Sequence, residues 1–90
     1  MEADIRSKVF EFIVANFLFG DAGKMPADEA SLIENGVVDS TGILELIEFL
    51  ESSFGIEVKE VETVPNNLDG VANLTRYVKE KLAAGGGRVA

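Results

Sequence analysis

Three times along this chain apolar residues recur at helical spacing, and each time glycine or proline ends the run. That punctuation constrains the fold more than any other feature. In the first run, from Asp4 to about Phe19, one face carries Ile5, Val9, Phe12, Ile13 and Phe17, with Asp4 as N-terminal cap or first-turn acid. Phe10, Val14, Leu18 and Phe19 widen that face, which predicts burial on more than one side. Gly20, Gly23 and Pro26 stop it. The second run, from about Thr41 to Ser53, carries Ile43, Leu46, Ile47, Leu50 and Phe54 on one stripe and Glu45, Glu48 and Glu51 on the other side. Gly55 ends it, and Ile56 and Val58 return to the core. The third, from about Gly70 to Ala83, buries Val71, Leu74, Val78 and Leu82, with Asn67 or Asp69 as its cap and Lys79 and Lys81 near its negative end. Ahead of it, Pro65 suits the first turn of a very short helix anchored by Leu68.

Residues 20–38 form a connection long enough to be unusual in a small domain, and such connections are often functional. Its Met25, Leu32, Ile33, Val37 and Val38 predict that parts of it pack on the body. Asp28 to Ile33 reads as a short helical turn closing near Asn35-Gly36. No strand pairing, internal repeat or second domain is legible. The expected architecture is all-α: one domain over residues 1–84, a small bundle of three main helices plus one short helix, and a long loop between the first and second helices. Gly85-Gly86-Gly87 begins an expected flexible tail over 85–90.

Composition removes whole classes of chemistry. The chain has no cysteine and no histidine, so thiolate metal sites, disulfides, cysteine nucleophiles and serine–histidine arrangements are all excluded. A serine–lysine pairing is disfavoured because no lysine falls in helical register with the best-placed serine. Catalytic and metal-ligating residues are therefore expected to be absent, and an EF-hand pattern is missing from the acid-rich stretch 57–69. A formal net charge of −8 argues against nucleic-acid or anionic-membrane surfaces and suits docking on basic proteins. No apolar run reaches spanning length, and the start Met1-Glu2-Ala3-Asp4 has the wrong charge for a signal peptide. These features predict a cytoplasmic, monomeric, free-standing protein without membrane insertion.

One site is well placed for chemistry. Asp39-Ser40 stands where the long connection becomes the acidic second helix. The plainest reading makes Ser40 an N-cap. Its position after a long loop, the acidic helix behind it and the want of any competing site favour a hydroxyl that another enzyme modifies. The run Gly36-Val37-Val38-Asp39-Ser40, with Leu44-Glu45-Leu46, Leu50-Glu51 and Phe54-Gly55-Ile56-Glu57-Val58, resembles the attachment region of the acyl carrier protein family, as do carrier domains of peptide synthetases. The likeness covers roughly residues 5–82 in element order, and its specific motifs lie within 33–58.

That resemblance implies a 4′-phosphopantetheine, taken from coenzyme A, on Ser40 with Asp39 in support, holding an acyl cargo as a thioester. It implies a phosphopantetheinyl transferase, an acyl- or aminoacyl-loading ligase and downstream transferases as partners, the last docking through basic patches. Glu45 and Glu51, with Ile43, Leu44 and Ile47, are the docking residues it points to, and Glu48, on the same acidic side, joins them although the family often has an apolar residue there. Thr41 stands where the family usually has leucine or methionine, and Gly42 where a polar or acidic residue is usual, which implies a specialised member. Gly42 in a first helical turn predicts an open, mobile approach to Ser40. Thr63-Val64-Pro65-Asn66-Asn67-Leu68-Asp69 is similar to D-alanyl and aminoacyl carriers, so aminoacyl cargo is the alternative. An unmodified acidic module that binds a basic protein is a further one.

Overall fold

The computed structural model describes residues 2–85, so most of the expected tail lies outside the described residues. Four helices follow in order: α1 (Glu2–Phe17), α2 (Ser40–Phe54), α3 (Pro65–Leu68) and α4 (Val71–Ala83). Single 3-10 turns sit at Ala22–Lys24 and Glu60–Glu62. The all-α bundle of three longer helices and one short one, with its long first connection, is the architecture that the periodicity predicts.

α1 lies against α4. Ile5, Val9 and Ile13, one per turn, are buried in one cluster with Leu46 and Leu50 of α2 and Val71, Leu74 and Val78 of α4. Each such side chain contributes about 1.5–3 kcal/mol on leaving water. The core is aliphatic apart from Tyr77. None of the six phenylalanines is fully buried. Four of them zip the α1–α2 seam instead. Phe12 stacks on Phe49 with ring centroids 4.1 Å apart, Phe17 meets Phe12 edge-on at 5.9 Å, and Phe54 meets Phe49 edge-on at 5.9 Å.

Several boundaries differ from expectation. α1 already runs at Glu2, so Asp4 does not cap it and takes the other expected role, an acid in the first turn. At the other end the N–H groups of Leu18 and Gly20 both donate to the Val14 carbonyl, which closes the helix at Phe17. Phe19 therefore leaves the apolar face: its φ is 54° and its side chain is 96% exposed. Gly55 ends α2 as expected, with φ 68° and its N–H on the Glu51 carbonyl.

The start of α4 is the largest correction. Neither Asn67 nor Asp69 caps it; Gly70 does, at φ 130° and with no side-chain bond. Asp69 reaches back into the long connection instead, accepting from the Ser31 hydroxyl and, at 2.9 Å, from the Ile33 N–H. A Cβ at Gly70 would meet the Ala30 carbonyl oxygen at 3.1 Å, so the connection and the α4 start touch backbone to backbone. The other clamp is Arg6, whose guanidinium grips Asp28 with two bonds of 2.7 and 2.9 Å. That grip holds the Asp28 carboxyl below its usual range. Leu32 and Val38 are buried, as their types predict, while Ile33 stays 45% exposed. The expected turn from Asp28 is displaced: the Asn35 N–H donates to the Ser31 carbonyl and Gly36 closes the turn at φ 72°.

Candidate functional site

Asp39 caps α2. Its backbone is extended, with φ −110° and ψ −174°, and its Oδ1 accepts the Gly42 N–H at 2.8 Å. The Asp39 carbonyl takes the Ile43 N–H at 3.0 Å. Ser40 is consequently the first helical residue and not the cap, which corrects the plainest reading of the sequence. Its side chain is exposed and makes no hydrogen bond among the described residues. The backbone N–H groups of Ser40 and Thr41 have no acceptor within the helix, at the end where the helix dipole is positive.

Gly42 overturns the expectation of an open, mobile approach. It is buried, and a Cβ there would lie 2.9 Å from Phe17 Cε1 and 2.9 Å from Val38 Cγ1. The glycine lets the α2 start press onto the end of α1, which fixes where Ser40 stands. An open groove runs beside it, lined by Phe17, Ile33, Gly36, Val37, Val38, Asp39 and Ser40.

The docking candidates separate into two groups. Glu45, Glu48 and Leu44 are exposed, Leu44 to 67%. Glu51 is half-buried, and its Oε2 accepts the Val58 N–H at 2.9 Å, bracing the chain after α2. Ile43 and Ile47 pack on the core. Ile43 also joins Ile33, Thr63, Val64, Pro65, Leu68 and Asp69 around a cavity of about 130 Å³.

Sequence reasoning missed a polar cluster behind that cavity. The Glu62 carboxylate accepts from the Lys59 N–H at 3.1 Å, the Tyr77 hydroxyl at 2.9 Å and Lys81 Nζ at 3.0 Å. Donation from the Lys59 amide and from Lys81 pulls the Glu62 carboxyl down. Burial, then the hydrogen bond to Glu62 and its charge, pushes the Tyr77 hydroxyl up. The signal was present in the i,i+4 spacing of Tyr77 and Lys81, which puts a phenol and an ammonium on one helix face.

No protein-family model matches this chain, and a search of curated proteins finds no relative. Among the described residues no three acidic side chains are grouped to hold a metal ion. No described helix is long and apolar enough to cross a membrane.

Proposed function

We propose that this chain is a carrier protein that holds an acyl group as a thioester on a 4′-phosphopantetheine arm joined to Ser40. One observation carries the reading. The Ser40 hydroxyl is exposed and unbonded at the first residue of α2, because Asp39 has taken over the capping. A serine needed as a cap would be occupied; this one is free to be modified.

The surroundings fit the group. A phosphodiester at Ser40 Oγ is favoured by the free N–H groups of the first turn and the positive helix end. The groove alongside has apolar walls in Phe17, Val37 and Val38 and polar ones in Asp39 and Ser40, which suits an arm of amides and methylenes. When attached, the arm supplies the thiol on which the cargo is carried. The protein's own residues position it: Gly42 seats the helix start, and Asp39 fixes the first turn. No histidine or cysteine is present to activate the serine, so that work belongs to the transferase, and the carrier is not an enzyme.

Glu45 and Glu48, with exposed Leu44 beside them, offer a face to basic patches on the transferase, the loading ligase and downstream transferases. Such contacts are quick to form and sensitive to salt. Glu51 contributes less, since it braces Val58. The cytoplasm, where coenzyme A is at hand, is the setting for this role.

Intact-protein mass after incubation with coenzyme A, magnesium and a broad-specificity phosphopantetheinyl transferase tests the proposal. A gain of one phosphopantetheine, absent in Ser40→Ala, is expected. No gain on the folded wild type from a panel of such transferases rejects it in favour of an unmodified acidic binding module.

A further inference from the structure

Among the asparagines of the chain, Asn35 alone is followed by glycine. Asn16, Asn66, Asn67 and Asn73 each precede a residue with a side chain, and all four lie in helices. Asn35 and Gly36 are exposed, in a turn between the buried Leu32 and Val38. The main-chain nitrogen that follows an asparagine can attack its carboxamide, and a glycine nitrogen does so best, because no Cβ stands in the way. A Cβ at Gly36 would meet nothing within 4 Å, so this flank of the turn is open to water and to base.

Hydrogen bonds hold both reacting groups apart. The Gly36 N–H donates to the Ile33 carbonyl at 3.0 Å, and Asn35 Nδ2 donates to the Ser31 carbonyl at 2.7 Å. The Asn35 N–H donates to that same Ser31 carbonyl at 3.2 Å. Asp69 fixes the turn from outside. Its carboxylate accepts from the Ser31 hydroxyl and, at 2.9 Å, from the Ile33 N–H, while Ser31 Oγ accepts the Glu34 N–H at 2.9 Å. Asp69 therefore grips the two residues, Ser31 and Ile33, whose carbonyls occupy Asn35 and Gly36. Letting go of them frees the carboxamide and the attacking nitrogen together.

We propose that Asn35-Gly36 is a self-modification site whose rate is set by the grip of Asp69 on Ser31 and Ile33. A base in solution takes the Gly36 amide proton, and the nitrogen bonds to Asn35 Cγ. The Cγ–Nδ2 bond breaks, and Nδ2 takes up a proton and leaves as ammonia. Water then opens the cyclic imide at either of its C–N bonds. One opening leaves aspartate at position 35; the other leaves isoaspartate, with an extra methylene in the main chain. Either product makes a chain of net charge −8 more negative by one charge. Isoaspartate also lengthens a turn pinned at Leu32 and Val38, and Gly36 lines the groove beside Ser40. The reaction needs no enzyme and proceeds whether or not Ser40 is ever modified.

The test incubates wild type, Asp69→Ala, Ser31→Ala and a remotely destabilised control, Val78→Ala, at mildly alkaline pH. Each is held folded, and again in enough urea to unfold it. Conversion is read by mass spectrometry of peptic peptides, and isoaspartate by methyl transfer from a protein isoaspartyl methyltransferase. Asn35 should convert before any other asparagine, and at least about tenfold more slowly in folded wild type than in the unfolded chain. Losing a bond to a charged carboxylate shifts local opening by about tenfold or more. Folded Asp69→Ala and Ser31→Ala should therefore convert about tenfold faster than wild type, with Val78→Ala close to wild type and all four alike in urea. Equal folded rates in wild type and Asp69→Ala overturn the proposal. So does equal acceleration in Val78→Ala, earlier conversion of another asparagine, or a folded wild type as fast as the unfolded chain. Should Asp69→Ala not fold, Ser31→Ala decides alone.

Discussion

Gly42 lies so close beneath Phe17 that a Cβ at position 42 would sit 2.9 Å from the ring. A glycine in a helix normally costs about 1 kcal/mol relative to alanine, so Gly42→Ala would stabilise an open site. Here the methyl must also displace Val38, which is buried. Overpacking of this kind costs about 1–3 kcal/mol, so the net effect should be a loss of about 1 kcal/mol in urea unfolding. Adding Phe17→Leu should recover part of it.

Asp39 and Ser40 should respond oppositely to truncation. Asp39→Ala removes a cap bonded to Gly42 and should cost about 1 kcal/mol. Ser40→Ala removes an exposed hydroxyl without a described partner and should change stability by less than about 0.5 kcal/mol. Urea midpoints of the two variants, read against wild type, check the pair.

Glu62 makes stability depend on acid. Its folded pKa lies below the ordinary glutamate value of 4.5, so its contribution is present above that pH and fades as pH falls through the lower folded value. Asp28, lowered from 3.8 by Arg6, acts in the same direction. Wild type should lose stability on acidification below about pH 4.5, and Glu62→Gln should lose less over the same interval. Unfolding free energies measured from pH 6 down to 3 make the comparison.

Tyr77 is the chain's only tyrosine. Burial and Glu62 raise its folded pKa well above 10.0, so the folded state keeps it neutral where the unfolded chain would ionise. The sign is therefore the reverse of that at Glu62: this contribution is intact below pH 10 and is lost as pH rises beyond it. Tyrosinate absorbance should appear late in an alkaline titration and coincide with unfolding. In Glu62→Gln it should appear at lower pH.

Gly70→Ala should cost more than 1 kcal/mol, since alanine resists φ 130° and its Cβ would press on the Ala30 carbonyl. Faster amide exchange at Ile33, whose N–H depends on Asp69, should accompany the loss.

Local periodicity announced α1, α2 and α4, and Pro65 and Gly55 announced a start and a stop, because each signal acts over a single turn. Asp39-Ser40 was legible for the same reason, though which of the two capped was not: both residue types cap well, and backbone geometry decides. Phe19 was misjudged because helical spacing continues past the point where the Val14 carbonyl captures two amides. Asp69, Gly42 and Glu62 find their partners across long stretches of chain. Spacing alone does not pair Asp69 with Ser31, 38 positions away, or Glu62 with Lys81, 19 positions away.

Those separations also bear on the order in which the chain acquires its shape. Arg6 must find Asp28 across 22 positions and Ser31 must find Asp69 across 38, and α1 must find α4 across a longer stretch still, so loop-closure entropy falls on the connection as well as on the helix packing. The connection cannot settle until the α3–α4 junction exists to receive it. Ser40, at its far end, is seated by shorter reaches, Gly42 on Phe17 and Val38 and the Asp39 cap on Gly42, so the serine and the connection that leads to it draw on contacts of very different range.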